Sequence, residues 1–203
     1  MAGKKVAIMS GYFNPVHLGH LLIAENAYET MGLDEVLFVP TTNIPDGLEM
    51  PDIWTRIEIT GTSIEDNPHF ALSTIEADRG GKTQPSEMVE ALKNKYPQNE
   101  YYFIVGGDTL MKMEKWQNPE KIFENTTILV ARRVEVPDEA MDIKIEEYKE
   151  KYGAKVEILP IEYTDLYSGK IRDRVKAGRS IRYMVHYKAV EYIKKHGLYK
   201  SEQ

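Results

Sequence analysis

Two histidines lie three residues apart in the segment 11–20, which reads GYFNPVHLGH. His17 and His20 could hold a metal ion, fill space in a core, or bind an anion. Zinc is disfavoured, because zinc takes three or four protein ligands and the segment has no His-Glu-x-x-His pattern. The chain contains no cysteine, which excludes disulfides, thiolate chemistry and iron–sulfur clusters as well.

The residues around this segment favour the anion. Residues 5–10 form a short apolar run that predicts a buried strand, and residues 18–31 carry apolar side chains at helical spacing. The segment therefore leaves a strand and opens a helix, where unpaired first-turn amides and the helix dipole attract phosphate. Gly11 lets a ligand approach the backbone, and His17 and His20 share one face at that end. Either histidine alone would suit a surface or capping role, but together they predict a phosphate-binding turn.

A second basic element follows at residues 168–172, which read SGKIR. Ser168 is predicted to cap a helix whose first turn carries Lys170 and Arg172. Cations oppose the helix dipole at this end, so their presence there indicates that an anion binds. A solvated basic face on an amphipathic helix is the alternative interpretation.

Two side chains further along the chain are candidates for binding a nucleoside. Residues 101–105 predict a strand, and Asp108 follows it at the ligand edge of the sheet, where it could accept hydrogen bonds from ribose hydroxyls or cap the next helix. Trp116 could stack on a heteroaromatic base or fill space in the core. Arg132 and Arg133 follow another strand, and one of them is predicted to reach the same crevice.

Strands and helices are predicted to alternate along most of the chain, after which only helices follow. The predicted strands are 5–10, 35–39, 70–75, 101–105, 127–131 and 156–159, and the predicted helices are 18–31, 53–64, 86–95, 118–124, 138–152, 168–177 and 186–196. This order predicts an α/β fold with a doubly wound parallel sheet and a small helical C-terminal portion. We expect a single domain over 1–203, with an α/β core over 1–165 and a helical part over 166–203. Turn-rich loops are predicted at 43–51 and 77–85.

Composition narrows the class of partner. The 203 residues are 42% hydrophobic and carry a net charge of −6, which disfavours nucleic acid as a partner. Basic residues are nevertheless concentrated in the segment 170–182, which suits a small anionic ligand. No apolar run approaches the length of a membrane-spanning helix and the start does not read as a signal peptide, so we expect a cytoplasmic protein. The oligomeric state is left open, and a homo-oligomer is compatible with the sequence.

The segment 9–20 also carries the full pattern Gly-x-Phe-x-Pro-x-His-x-Gly-His. In this the chain resembles the HxGH nucleotidyltransferases, a Rossmann-like superfamily, and within it the bacterial nicotinate-mononucleotide adenylyltransferases. The resemblance runs from about Lys5 to Tyr199. Further residues that carry it are Phe38-Val-Pro40, Arg56, residues 102–108 (YFIVGGD), Trp116, Ile171-Arg172, residues 181–193 and Leu198-Tyr199.

The resemblance implies a reaction in which the phosphate of an acceptor attacks the α-phosphorus of ATP and pyrophosphate leaves. It implies that His17, His20 and Arg172 are catalytic and that ATP and a pyridine mononucleotide are the substrates, with Mg²⁺ carried by the ATP phosphates rather than by protein ligands. The implied ATP-binding residues are Gly11, Tyr12, Phe13, His17, His20, Gly106, Asp108, Ser168, Ile171 and Arg172. The implied acceptor-binding residues are Thr83, Trp116 and Arg133.

The chain departs from the family pattern mainly on the acceptor side. The family's Pro-His-Lys loop reads Pro-Asp-Gly at residues 45–47, and its Ser-Tyr-Thr loop reads Thr-Gln-Pro near residues 83–85. Its Ser-Ser-Thr element reads Tyr-Ser-Gly at residues 167–169. Lys82 or Lys170 could substitute for the missing basic residue. The alternatives to nicotinate mononucleotide are therefore another acceptor, such as nicotinamide mononucleotide, and a nucleotide-binding relative without catalysis.

Overall fold

A six-stranded parallel sheet with helices on both faces forms the body of the protein, seen in a computed structural model that describes residues 3–132, 136–161 and 165–200. The strands are β1 (Lys5–Gly11), β2 (Glu35–Pro40), β3 (Phe70–Leu72), β4 (Glu100–Gly106), β5 (Thr126–Ala131) and β6 (Lys155–Leu159). Their order is β3-β2-β1-β4-β5-β6. The order reverses between β1 and β4, and such a sheet binds ligands beyond the carboxyl ends of its strands at that point. The predicted doubly wound α/β fold is confirmed.

The helices join these strands in the predicted alternation. They are α1 (Leu18–Met31), α2 (Ile53–Ile64), α3 (Ile75–Arg79), α4 (Pro85–Lys95), α5 (Gly107–Leu110), α6 (Pro119–Asn125), α7 (Asp138–Tyr152), α8 (Ser168–Lys176) and α9 (Tyr187–Lys195). Gly32 ends α1 in the left-handed conformation, with φ of 57°, as its position after the last apolar residue predicts. In the part of the chain that the structure describes, no helix is long and apolar enough to cross a membrane.

The prediction of a strand over 70–75 was wrong at its C-terminal end. The strand β3 stops at Leu72, and helix α3 occupies part of the segment predicted as loop. Local side-chain bonds explain the change, because the Ser73 hydroxyl accepts from the Ile75 amide at 3.3 Å and the Thr74 hydroxyl donates to Asp78 at 2.6 Å. Side-chain hydrogen bonds of serine and threonine compete in this way with the backbone hydrogen bonds between strands. The strand β3 is easily shortened because it lies at the edge of the described sheet and pairs only with β2 there.

The sheet separates two apolar clusters, so its central strands are buried on both faces. Ala7 and Met9 of β1 face the cluster that contains Ile59 of α2 and residues of α1, α8 and α9, whereas Val6 and Ile8 face the cluster formed with α4, α6 and α7. Burial on both faces explains why the strands read as continuous apolar runs. Because α8 and α9 pack on the same face as α1, they lie close to the turn that opens α1.

Candidate active site

A cleft of about 390 Å³ lies beyond the carboxyl ends of β1 and β4, at the point where the strand order reverses. Six of the residues predicted to bind substrates line it: Gly11, Tyr12, His20, Gly106, Asp108 and Trp116. The remaining described candidates lie behind the cleft wall or beside it. The position agrees with the rule for doubly wound sheets, since the lining comes from the ends of β1, β4 and β5 and from the segments that follow β1, β2 and β4, with Pro85 at the start of α4.

The rings of the two histidines pack against each other at the start of α1, with 31° between their planes. His17 is the residue that precedes the helix and is 4% exposed, whereas His20 lies in the first turn and is half-buried at the cleft. Their ring centroids are 3.7 Å apart, and the backbone amide of His17 donates to Nδ1 of His20 at 3.2 Å. An imidazole that accepts at Nδ1 carries its proton on Nε2 when it is neutral. His20 is therefore held in the tautomer that donates a hydrogen bond from Nε2.

Three side chains from distant parts of the chain hold the carbonyls of the turn before α1. Arg56 donates to the Tyr12 carbonyl, Arg172 to the Asn14 carbonyl and the Ser168 hydroxyl to the Pro15 carbonyl, each at 2.8 Å. We call residues 12–15 with these three donors the clamped turn. Carbonyls held by side chains cannot rearrange without losing those bonds, so the clamped turn presents one fixed backbone conformation to the cleft.

Phe13 lies in the middle of the clamped turn with φ of 42°, in the left-handed region that non-glycine residues avoid. Such a conformation costs about 1–3 kcal/mol and persists only where the surroundings enforce it. The Phe13 side chain is 2% exposed and meets His20 edge-on, with ring centroids 5.2 Å apart. Phe13 was predicted to bind ATP, and the structure places its side chain under His20 rather than in the cleft lining.

Two local predictions at these helix starts were wrong. Tyr167, not Ser168, precedes α8, and the Ser168 hydroxyl donates to Pro15 instead of capping its own helix. The amide of Leu18 in the first turn of α1 donates to the Met184 carbonyl at 3.0 Å, so it is not an open anion donor. Both differences arise from partners far away in sequence. Ile171, predicted to bind ATP, is fully buried in the core.

Asp108 and Trp116 occupy the far wall of the cleft. Gly106 precedes the short helix α5, so the interpretation of Asp108 as a helix cap was wrong; Asp108 lies in the first turn and is exposed. Trp116 packs edge-on against Phe103, with centroids 6.2 Å apart, and also lines the cleft. Trp116 therefore packs in the core and also presents part of its ring to a ligand in the cleft.

The near wall is built from two loops joined by hydrogen bonds. Asn43 donates from Nδ2 to Oε1 of Gln84 at 3.2 Å, and the amide of Thr83 donates to the Thr42 hydroxyl at 3.1 Å. Asn43 lines the cleft, whereas Thr83, predicted to bind the acceptor, is 1% exposed and lies behind that wall. We call residues 41–47 and 82–85 the acceptor wall.

Glu76 anchors the acceptor wall and was not found from the sequence. Its carboxylate, 2% exposed, accepts from the Thr41 hydroxyl at 2.9 Å and from the Thr42 amide at 2.8 Å. Burial raises the pKa of Glu76 above its ordinary value, while these hydrogen bonds and the charge of Arg56 oppose the rise. Nothing in the local sequence signals this role, because the partners lie more than thirty residues away.

The basic residues considered as substitutes in the acceptor loops are paired at the surface. Lys82 contacts Asp46 at 2.6 Å, and Lys170 contacts Asp165 at 3.1 Å. Arg132 pairs with Asp138, and Arg133, predicted to bind the acceptor, lies outside the described residues. Within the described ranges, neither lysine nor arginine lines the cleft, and no group of three or more potential ligands could hold a metal ion.

Comparisons with known proteins agree with this arrangement. A sequence model of the cytidylyltransferase-like family matches residues 8–174. A probable nicotinate-nucleotide adenylyltransferase of Lachnoclostridium phytofermentans is 41% identical over 201 residues, covering 97% of this chain and 99% of that protein. A second protein of that description, from Caldicellulosiruptor bescii, is 35% identical over 197 residues, covering 97% of this chain and 99% of its own length.

A solved structure shows the same fold at low sequence identity. The nicotinic acid mononucleotide adenylyltransferase of Plasmodium falciparum, complexed with NaAD, matches with a TM-score of 0.79 at 18% identity, covering 97% of both chains. The family assignment rests on the sequence relatives, which match nearly the full length of the chain. The chain therefore belongs to the nicotinate-nucleotide adenylyltransferases, within the cytidylyltransferase-like family of nucleotidyltransferases.

Proposed function

We propose that this chain transfers the adenylyl group of ATP to nicotinate mononucleotide, releasing pyrophosphate and forming deamido-NAD. The observation that carries the proposal is the clamped turn, which leads into the packed rings of His17 and His20 at the cleft. Relatives named for this activity match 97% of the chain. In the reaction an oxygen of the acceptor phosphate bonds to the α-phosphorus of ATP, and the bond from that phosphorus to the pyrophosphate oxygen breaks.

The ATP side supplies hydrogen-bond donors for the charge that develops on the phosphates. His20 lies at the cleft with its Nδ1 accepting from the His17 amide, and the His17 ring packs against it; both imidazoles are proposed to donate to the phosphates. Arg172 donates one of its five N–H groups to the Asn14 carbonyl, which fixes its orientation beside the cleft lining, and we propose that its other donors bind phosphates that extend past the clamped turn. Donors held in place before the substrate arrives stabilise the transition state without reorganising, and each contributes about 10²–10³ in rate.

A divalent ion fits this site as a companion of ATP. Mg²⁺ is usually held by one or two carboxylates together with substrate phosphates and water. Among residues 3–132, 136–161 and 165–200, the side chains form no cage of three ligands, and Asp108 is the one carboxylate in the cleft lining. The donor set therefore suits Mg²⁺ carried by the ATP phosphates, where it would neutralise charge on the leaving pyrophosphate.

The acceptor side supplies a ribose partner and an aromatic surface. Asp108 could accept from ribose hydroxyls, and Trp116 could stack on the pyridine ring. Thr83 supports the wall behind the acceptor through its amide. Arg133 remains part of the proposal as an acceptor-binding residue.

Nicotinamide mononucleotide is a second candidate acceptor, and one observation favours it. The cleft lining of the described residues contains no lysine or arginine to pair with the carboxylate of nicotinate, and its near wall carries the amide of Asn43 bonded to that of Gln84. An amide side chain can donate to a carboxylate or exchange hydrogen bonds with a carboxamide.

The test is pyrophosphate release from ATP and Mg²⁺ with nicotinate and nicotinamide mononucleotides in parallel assays. His17→Ala is the test variant, and His69→Ala, which removes a histidine stacked on Tyr28 at 4.0 Å, is the control. Turnover that prefers nicotinate mononucleotide and is lost only in His17→Ala is the expected result. Preference for nicotinamide mononucleotide would establish the second candidate, and release with neither acceptor would refute both.

A further inference from the structure

Arg56 is an arginine with no exposed surface, located on α2 behind the clamped turn. Buried arginines are rare and are usually paired with a carboxylate, because an unpaired charge loses its hydration. The ion pairs of the described residues do not include Arg56. The carboxylates of Asp52 and Glu76 act on this charge from beyond ion-pair distance, so the direct contacts of the guanidinium are made with other groups.

The hydrogen bonds of Arg56 go to two backbone carbonyls. Nη1 donates to Tyr12 at 2.8 Å and Nε donates to Pro51 at 3.1 Å, while Nη2 is buried without a partner among the described residues. Tyr12 belongs to the clamped turn, and Pro51 lies next to the start of α2. A planar guanidinium can reach both carbonyls at once, which a lysine ammonium on its flexible stem cannot do in the same geometry.

The contact with Tyr12 bears directly on the strained residue beside it. Arg56 holds the carbonyl before Phe13 and Arg172 holds the carbonyl after it, so the two arginines flank the left-handed residue. Phe13 in turn supports the ring of His20 from the side. Release of the Tyr12 carbonyl would let Phe13 relax toward negative φ and withdraw its ring from His20.

We propose that Arg56 is a positioning residue for adenylyl transfer, which acts through the Tyr12 carbonyl to keep Phe13 left-handed and His20 at the cleft. The inference rests on the proposed function, because it concerns how that site is held. A purely stabilising role would leave the kinetics of the folded protein unchanged, whereas a positioning role alters its dealings with ATP, so the two roles are separable by experiment.

The C-terminal segment encloses this arrangement. Tyr199 is held at φ of 62°, its hydroxyl is buried, and the charges of Arg172 and Arg56 both act on it. The two arginines of the clamped turn therefore share one buried environment with Tyr199. The bond from Arg56 to Tyr12 is part-buried, so its loss would leave a carbonyl of the clamped turn without the donor that fixes it.

The experiment compares Arg56→Met and Arg56→Lys with Thr60→Val in the full chain. Thr60 is buried one turn further along α2, and its hydroxyl donates to the Arg56 carbonyl without contacting the clamped turn. Three quantities are measured for each protein: ATP affinity by calorimetry without acceptor, kcat with KM for each substrate, and the melting temperature.

We expect Arg56→Met to lower kcat/KM for ATP by about 10–100-fold, because small displacements of catalytic groups cost up to about a hundredfold. KM for the mononucleotide should change less than about twofold, and the melting temperature should fall, because the carbonyls of Tyr12 and Pro51 lose their donor. Arg56→Lys should be intermediate, since it keeps the charge but not the paired geometry. This split between substrates is not expected from a general loss of stability.

The inference is overturned if Arg56→Met binds ATP and turns over as Thr60→Val does. If Arg56→Met fails to fold, Arg56→Lys decides, and wild-type ATP affinity and kcat in that variant would overturn the inference equally. Should the wild type release no pyrophosphate with either mononucleotide, the proposed function fails by itself. Calorimetry with ATP alone then still shows whether Arg56 shapes the nucleotide site.

Discussion

The two sides of the cleft are held in place by different kinds of contact. The clamped turn is fixed by donors from distant segments, with Ser168 and Arg172 lying 153 and 158 residues from their partners, and by the fully buried Arg56. The tip of the acceptor wall is tied by Lys82 and Asp46, whose side chains are 50% and 96% exposed. Exposed pairs contribute little and are screened by salt, whereas buried bonds are costly to lose. The tip of the acceptor wall can therefore vary in sequence at much lower cost than the clamped turn, whereas the buried Glu76 at its base cannot.

The largest effect is expected from Arg172→Ala. This change removes both the bond to the Asn14 carbonyl and the guanidinium proposed to bind phosphate, so kcat/KM for ATP should fall by about 10²–10³-fold. The matched control is Arg174→Ala on the same helix, whose side chain donates to Ser180 away from the cleft. Equal losses in the two variants, measured by pyrophosphate release, would contradict a specific role for Arg172.

Glu76→Gln probes the buried anchor of the acceptor wall. The new side-chain NH₂ group is a donor, so it cannot accept from the Thr41 hydroxyl or the Thr42 amide as the carboxylate does. The free energy of unfolding should therefore fall by about 1–3 kcal/mol. Urea unfolding measured with Glu29→Gln, an exposed glutamate of α1, controls for the change in net charge.

The same variant has a pH signature. Because burial raises the pKa of Glu76 in the folded state, the folded protein keeps this proton at pH values where the unfolded chain has lost it. The stability from this group is fully present below the ordinary glutamate value of 4.5 and declines as pH rises through the folded pKa. The stability of wild type relative to Glu76→Gln should therefore be greater at pH 4.5 than at pH 7.5. A difference that grows with pH would contradict this.

Trp116→Ala is expected to have a moderate effect confined to the acceptor. Loss of a stacking partner is worth about 0.5–1.5 kcal/mol, so KM for the mononucleotide should rise about three- to tenfold while KM for ATP is nearly unchanged. The chain has one other tryptophan, Trp54, which is 51% exposed and lies outside the cleft lining, so Trp54→Ala is the control. A rise in KM for ATP instead would place Trp116 on the nucleotide side.

The smallest effect is expected from Asp46→Ala. Its contact with Lys82 is at the surface, so the melting temperature should stay within error of wild type and respond to 0.5 M salt no differently. Lys82→Ala is the partner variant. A large loss of activity in either, measured with both mononucleotides, would show that the acceptor wall depends on this pair and would remove the contrast between the two sides.

Local patterns predicted the elements but not the bonds between them. Helix α1 was predicted to the residue, because its apolar spacing and Gly32 are local signals. Ser168 was misread because its hydroxyl could serve its own helix or the Pro15 carbonyl, and only the folded chain decides between the two. Arg56 and Glu76 carried no local signal for the same reason. The parts of the site that could be predicted are those in which neighbours in sequence are also neighbours in space.

The long sequence separations between residues 12–15 and their donors also determine when the clamped turn can form during synthesis. Ser168 and Arg172 are made more than 150 residues after the carbonyls that they hold, about 8–30 s later at ordinary rates of translation. During that interval the turn carries its histidines without two of its three donors. A ribosome that stalls before residue 168 therefore holds a chain whose nucleotide motif is present but lacks two of the three donors that fix it.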